Sequence, residues 1–140
     1  IKDIDTEILL ATRFISGIDD LTDAQQTYTY NYEYGNEHNL EMSSDGTVII
    51  NHGGTIGNLS HETTHDIQHN RGAISFNKPG KDALFHGISD RADIEIEPYS
   101  VQFVLDRLSM PLSGEGRTRN LRSINRQWIK GIELQSGYSY

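Results

Sequence analysis

His61, Glu62 and His65 stand in the order H-E-x-x-H within the stretch LSHETTHDIQHN, residues 59–70. On an α-helix, residues four apart share a face and lie about 6 Å apart along the axis. Two imidazoles at that spacing can converge on one ion, each at about 2.1 Å. Glu62 is turned about 100° from His61. Its carboxylate therefore reaches a water on the open side of the ion rather than the ion itself. Zinc brings the pKa of such a water toward about 7, so the carboxylate can take its proton while the metal polarises a carbonyl for attack. The composition of the chain gives about 0.02 chance occurrences of the pattern, which favours a metal site over two unconnected histidines on a solvated helix.

His69 continues the four-residue step, but on a straight helix it lies about 12 Å from His61. Three rings so spaced cannot meet one ion, and His69 reads as an end-of-helix histidine. The metzincin pattern H-E-x-x-H-x-x-G-x-x-H solves that problem with a glycine turn. Here its last two positions are Gln68 and Arg71, so that pattern is rejected. A catalytic zinc needs a third protein ligand, often a carboxylate. The segment Asp93-Ile94-Glu95-Ile96-Glu97-Pro98-Tyr99-Ser100 offers two. Glu95 and Glu97 lie on different faces of a regular helix, so only one can serve. His86, from the intervening loop, is an outside candidate. Tyr99, His86 and the arginines at 117–122 are candidates to stabilise charge on a reacting carbonyl.

Glu97-Pro98-Tyr99-Ser100 with Phe103 resembles the gluzincin pattern, in which H-E-x-x-H on one helix is completed by a Glu on a later helix; Pro98 is a departure from it. The resemblance implies that His61, His65 and Glu97 hold zinc and that Glu62 is the general base, with Glu95 as the alternative ligand. It implies an α+β, zincin-like fold and hydrolysis of a peptide bond in a protein or peptide substrate. The order of strands, Leu59, His61, Glu62, His65, Gln68, Glu95, Glu97 and Tyr99 is also similar to the small metallopeptidase domains at the C-termini of bacterial polymorphic toxins, over about residues 56–104. That likeness implies secretion or delivery into a target cell and a cognate immunity protein.

Helical spacing of Ile4, Ile8, Ala11 and Ile15 predicts an amphipathic helix over 4–16, with Gly17 as its stop and residues 18–26 as a loop or short helical turn. The alternation Tyr28, Tyr30, Tyr32, Tyr34 predicts a half-buried strand over 27–34, broken at Gly35-Asn36. Runs at 39–43 and 47–51 flank Asp45-Gly46 and predict a hairpin in a small antiparallel sheet. The strand at 47–51 would be the edge on which an extended substrate pairs. Thr55 can cap a helix over about 56–70 that ends at Asn70 and Gly72. Residues 73–88 read as loop. Asp90 or Asp93 can cap a helix to about 108, with Pro98 tolerated only near its first turn, and Pro111 stops it. Residues 112–118 form an exposed loop, and Leu121, Ile124, Trp128 and Ile132 place a last helix over 119–132.

The 140 residues, read as a single domain over 1–140, include no cysteine and carry a formal net charge of −8. Disulfides, thiolate zinc sites and a cysteine nucleophile are therefore excluded. Non-specific nucleic-acid binding is disfavoured by the acidic balance. The cluster Arg117, Arg119, Arg122, Arg126 and Lys130 reads as one face of a solvated helix. No apolar run reaches the roughly 18 residues of a membrane span. No charged-then-apolar stretch stands at the start of the sequence, and the start at Ile1 reads as a domain cut from a longer polypeptide or a mature fragment. The alternative to an enzyme is a binding module with a structural metal, which would fill the fourth coordination position with protein and need no Glu62.

Overall fold

The computed structural model describes residues 2–33, 38–112, 118 and 120–135. The fold is α+β. Helix α1 (Lys2–Asp23) leads into strand β1 (Tyr28–Tyr32), the hairpin β2 (Asn39–Met42) and β3 (Val48–His52), and helix α2 (Ile56–Asn70). A two-stranded ribbon of β4 (Ile74–Ser75) and β5 (Leu84–Phe85) follows. Next come a 3₁₀ turn at Arg91–Glu95, α3 (Ile96–Leu105), 3₁₀ turns at Arg107–Ser109 and Leu121–Ser123, and α4 (Arg126–Gln135).

Helix α2 matches the expected span. Thr55 accepts from the Asn58 N–H at 3.1 Å, and the helix ends in a turn at Gly72 with φ +87°. The expected antiparallel sheet is instead mixed. β3 lies in the middle, antiparallel to β2 and parallel to β1, with Tyr28 opposite Val48 and Tyr32 opposite His52. The hairpin occupies one side of β3, so β1 can pair only on the other, and there it runs in the same direction. The strand at 48–52 is therefore no edge. Val48 and Ile50 are fully buried and pack with Leu40, Tyr28 and Phe76.

Helix α1 runs through Gly17 to Asp23 rather than stopping near 16. Gly17 is the buried point at which α1 meets α2. A Cβ there would come within 2.5–2.9 Å of three Ile67 carbons, so the glycine sets a close helix approach rather than a helix end. Leu10, Phe14 and Leu21 share this partly buried side, whereas Ile4, Ile8 and Ile15 stay 59, 59 and 62% exposed. Of the stripe that marks the helix in the sequence, only Ala11 joins the partly buried side.

The single helix expected up to 108 is divided. Asp90 caps the 3₁₀ turn by accepting from the Ala92 N–H, and α3 starts at Ile96, with Pro98 inside its first turn as required. The last helix starts seven residues later than expected because the Asn125 side chain accepts the Trp128 N–H at 2.9 Å. Ile124, Ile129 and Ile132 are buried, and Phe103, Met110 and Ile124 form a second core with Tyr99 and Trp128 around it. Of the basic cluster, Arg126 and Lys130 bind Asp93 and Asp90 (2.7 and 2.6 Å), tying α4 to the turn that ends at Glu95. Tyr34, Gly35-Asn36, Arg117 and Arg119 lie outside the described residues.

Candidate metal centre

Helix α2 is buried at every position from Ser60 to Gln68, although most of these residues are polar. Buried polar groups need partners. Ser60 and Thr64 bond back to the carbonyls of Gly57 and Ser60. His61, Glu62, His65 and Gln68 assemble the site.

His61 Nε2 and His65 Nε2 lie 3.0 and 3.1 Å from the same atom, Glu95 Oε2. These three ligand atoms sit within 4.8 Å of one another, and among the described residues no further His, Asp or Glu joins them. The expected pair His61 and His65 is thus brought together, and the carboxylate that stands with them is Glu95 rather than the expected Glu97. The reason is helix phase. Glu95 ends the 3₁₀ turn, and Tyr99 and Gln102 follow it at +4 and +7, on the face that meets α2. Glu97, two residues on, points away and approaches Arg71 at 3.6 Å and Arg13 at 3.9 Å. His69 stays out of the group, as expected from distance, and its Nδ1 bonds the Tyr28 hydroxyl at 2.8 Å. His86 bonds Ser75 through Nε2 at 2.7 Å and does not line the cleft.

Each histidine is oriented by a glutamine. Gln102 donates its amide to the Ser109 carbonyl and Oγ, which leaves Oε1 to accept from His61 Nδ1 at 2.9 Å. Gln68 donates to the Ile94 carbonyl and accepts from His65 Nδ1 at 2.8 Å. Both rings therefore carry a proton on Nδ1 and turn Nε2 toward a carboxylate oxygen. A ring held between two acceptors must be doubly protonated or must place Nε2 on a cation. The donor set, two imidazole Nε2 atoms and one carboxylate, fits a divalent metal. Replacing Gln102 with Leu is expected to weaken zinc binding by about 10–100-fold, measured by competition with a chelating dye. Unchanged affinity in a folded variant would remove Gln102 from the site.

Charge follows the same geometry. Burial alone would raise Glu95, but the imidazoles of His65 and His61 hold its carboxyl well below the usual range. Burial alone would lower His65, but the charge and hydrogen bond of Glu95, with Glu62 and Gln68, push it up to about 9. Burial raises Glu62, opposed by His65 and His61. Glu133 on α4, a residue absent from the sequence reading, is pushed up to about 7 by burial and by Glu95.

The ligands open on a cleft of about 570 Å³ whose walls include His38, Leu40, Glu62, Tyr99 and Glu133. β2 is the sheet edge beside it. The Ser43 N–H bonds the Thr47 carbonyl, so in this register Asn39 and Glu41 bond β3, while Leu40 and Met42 point their backbone groups outward. Met42 exchanges two bonds with Gly80 (2.9 and 2.8 Å), and Leu40 continues that edge along the cleft.

Asp66, one residue past the second ligand, is fully buried, and neither carboxylate oxygen has a hydrogen-bond partner. Burial, then Glu62, pushes it up to about 8. The folded chain thus holds a proton there that the unfolded chain releases near pH 4. The stability it contributes is present below about pH 4 and is lost as pH rises toward 8. Asp66→Asn should stabilise the metal-free protein by on the order of a few kcal/mol above pH 8, with little difference below pH 4, in denaturant melts across pH. A variant less stable than wild type at pH 9 would contradict this.

No known protein-family model, curated protein or solved structure matches the chain.

Proposed function

We propose that the chain is a zincin-like, zinc-dependent metallopeptidase. One observation carries the reading: Nε2 of His61, Nε2 of His65 and Oε2 of Glu95 converge at the wall of a cleft that Glu62 also lines. Two imidazoles and one carboxylate are the donor set of catalytic zinc in H-E-x-x-H peptidases. Zinc, when bound, supplies Lewis acidity to a water and to a substrate carbonyl.

The chain's own residues do the rest. Glu62 takes the proton of the attacking water and returns it to the departing amine. Gln102 and Gln68 keep both Nε2 lone pairs aimed at one point. The outward backbone of Leu40 pairs with an extended substrate, so the β2 edge takes the part first assigned to the strand at 47–51. A structural-metal module is disfavoured because the described residues offer three ligands and a carboxylate beside them, not four ligands. Incubating the protein with a quenched fluorescent peptide library should give cleavage that a chelator abolishes and added zinc restores. Cleavage indifferent to chelation, or none from zinc-loaded protein, would contradict the reading.

A further inference from the structure

We propose that His38 is a further catalytic residue of this cleft: its Nε2–H donates a hydrogen bond to the substrate carbonyl oxygen as that oxygen gains negative charge. The proposal rests on the peptidase reading above.

His38 lines the same cleft as His61, Glu62 and His65. Its tautomer is set by the backbone. The Gly53 N–H donates to His38 Nδ1 at 3.1 Å, so the neutral ring carries its proton on Nε2. Gly53 makes the seat for the ring, since a Cβ there would stand 2.8 Å from His38 Cε1. Burial, then the neighbouring His61 and His52, lowers the pKa of His38. The Gly53 N–H holds Nδ1 as an acceptor, which leaves Nε2–H as the donor of the ring.

Strand register places this donor. Asn39 pairs with Asn51, so His38 stands one step further, level with His52. Two residues on, Leu40 is buried against Val48 and Ile50, whereas His38 is exposed at the mouth of the strand. A substrate strand paired on the Leu40 backbone would run past His38, which lines the same cleft as His61 and His65. His86 Nε2 is bonded to Ser75. The Tyr99 ring is packed between His61 and Trp128, with centroids at 4.4 and 5.1 Å. No proton changes owner at His38; Glu62 carries the proton, and His38 contributes a fixed dipole at the developing charge.

The test uses the full chain loaded with zinc, as wild type, His38→Ala and His38→Gln. His38→Ala should lower kcat on a peptide that the wild type cleaves by about 10²–10³-fold, with KM and zinc affinity nearly unchanged. It should weaken a peptide phosphinate, whose second oxygen mimics the developing charge, by a similar factor in calorimetry. A peptide hydroxamate of the same sequence should bind as before. His38→Gln, which keeps a side-chain N–H, should recover part of the loss. Nitrogen NMR of the metal-free wild type should find His38 protonated at Nε2 and bare at Nδ1. Unchanged kcat, equal losses for phosphinate and hydroxamate, or a proton on Nδ1 would overturn the assignment while leaving the peptidase reading standing. Zinc-loaded wild type that neither cleaves peptides nor binds the hydroxamate would overturn both.

Discussion

Glu62→Gln is expected to keep zinc at one per chain and to lower peptide hydrolysis by about 10²–10⁴-fold, the range that a positioned general base contributes. Glu62 is 5% exposed and lies on the cleft wall, outside the set of three ligand atoms. Glutamine has nearly the same shape, so packing on α2 and the ligand geometry should survive. What it loses is the ability to accept a proton. Burial raises the carboxyl of Glu62 and makes it a stronger base than a surface glutamate, although His65 and His61 restrain the rise. Full activity in a zinc-loaded Glu62→Gln protein would contradict its role as base.

Glu95→Ala should lower zinc affinity by more than the roughly 10–100-fold that loss of an outer hydrogen bond costs, whereas Glu97→Ala should bind zinc nearly as the wild type does. Glu95 supplies one of the three converging atoms and faces both histidines at about 3 Å. Glu97 instead forms partly exposed ion pairs with Arg71 and Arg13, each worth about 0–1 kcal/mol at most. The pH dependence provides a second readout. Glu95 helps push His65 up to about 9, and zinc must displace that proton. Zinc affinity of the wild type should therefore rise with pH up to about 9, and in Glu95→Ala this rise should flatten. Chelator competition across pH on both folded variants measures each effect. Loss of affinity in Glu97→Ala with retention in Glu95→Ala would return the ligand to position 97.

The parts of the fold legible in the sequence are those set by local chemistry. Thr55, the i,i+4 histidines and Gly72 define α2 almost to the residue, and Asp45-Gly46 marks the hairpin. Nonlocal choices were not legible. Nothing near β1 indicates that it joins β3 in parallel, which displaced the expected substrate edge from β3 to β2. Gly17 carries the usual signal of a helix stop, but its meaning lies fifty residues away, at Ile67. At the site, His61, Glu62 and His65 follow from spacing alone. The choice between Glu95 and Glu97 turns on a 3₁₀-to-α junction whose phase the sequence does not fix. Gln102 could have been found, because it follows Glu95 by seven residues and so shares its helix face. His38 and Glu133 could not, since each is brought to the cleft only by tertiary packing.

Diffraction from zinc-loaded crystals at the zinc absorption edge tests the central claim most directly. One anomalous peak is expected within about 2.0–2.2 Å of His61 Nε2, His65 Nε2 and a carboxylate oxygen of Glu95. The remaining coordination position should face the cleft and Glu62, with no protein atom in it. A peak that takes a fourth ligand from the protein, or one that lies away from Glu95, would contradict a catalytic centre built on these three residues.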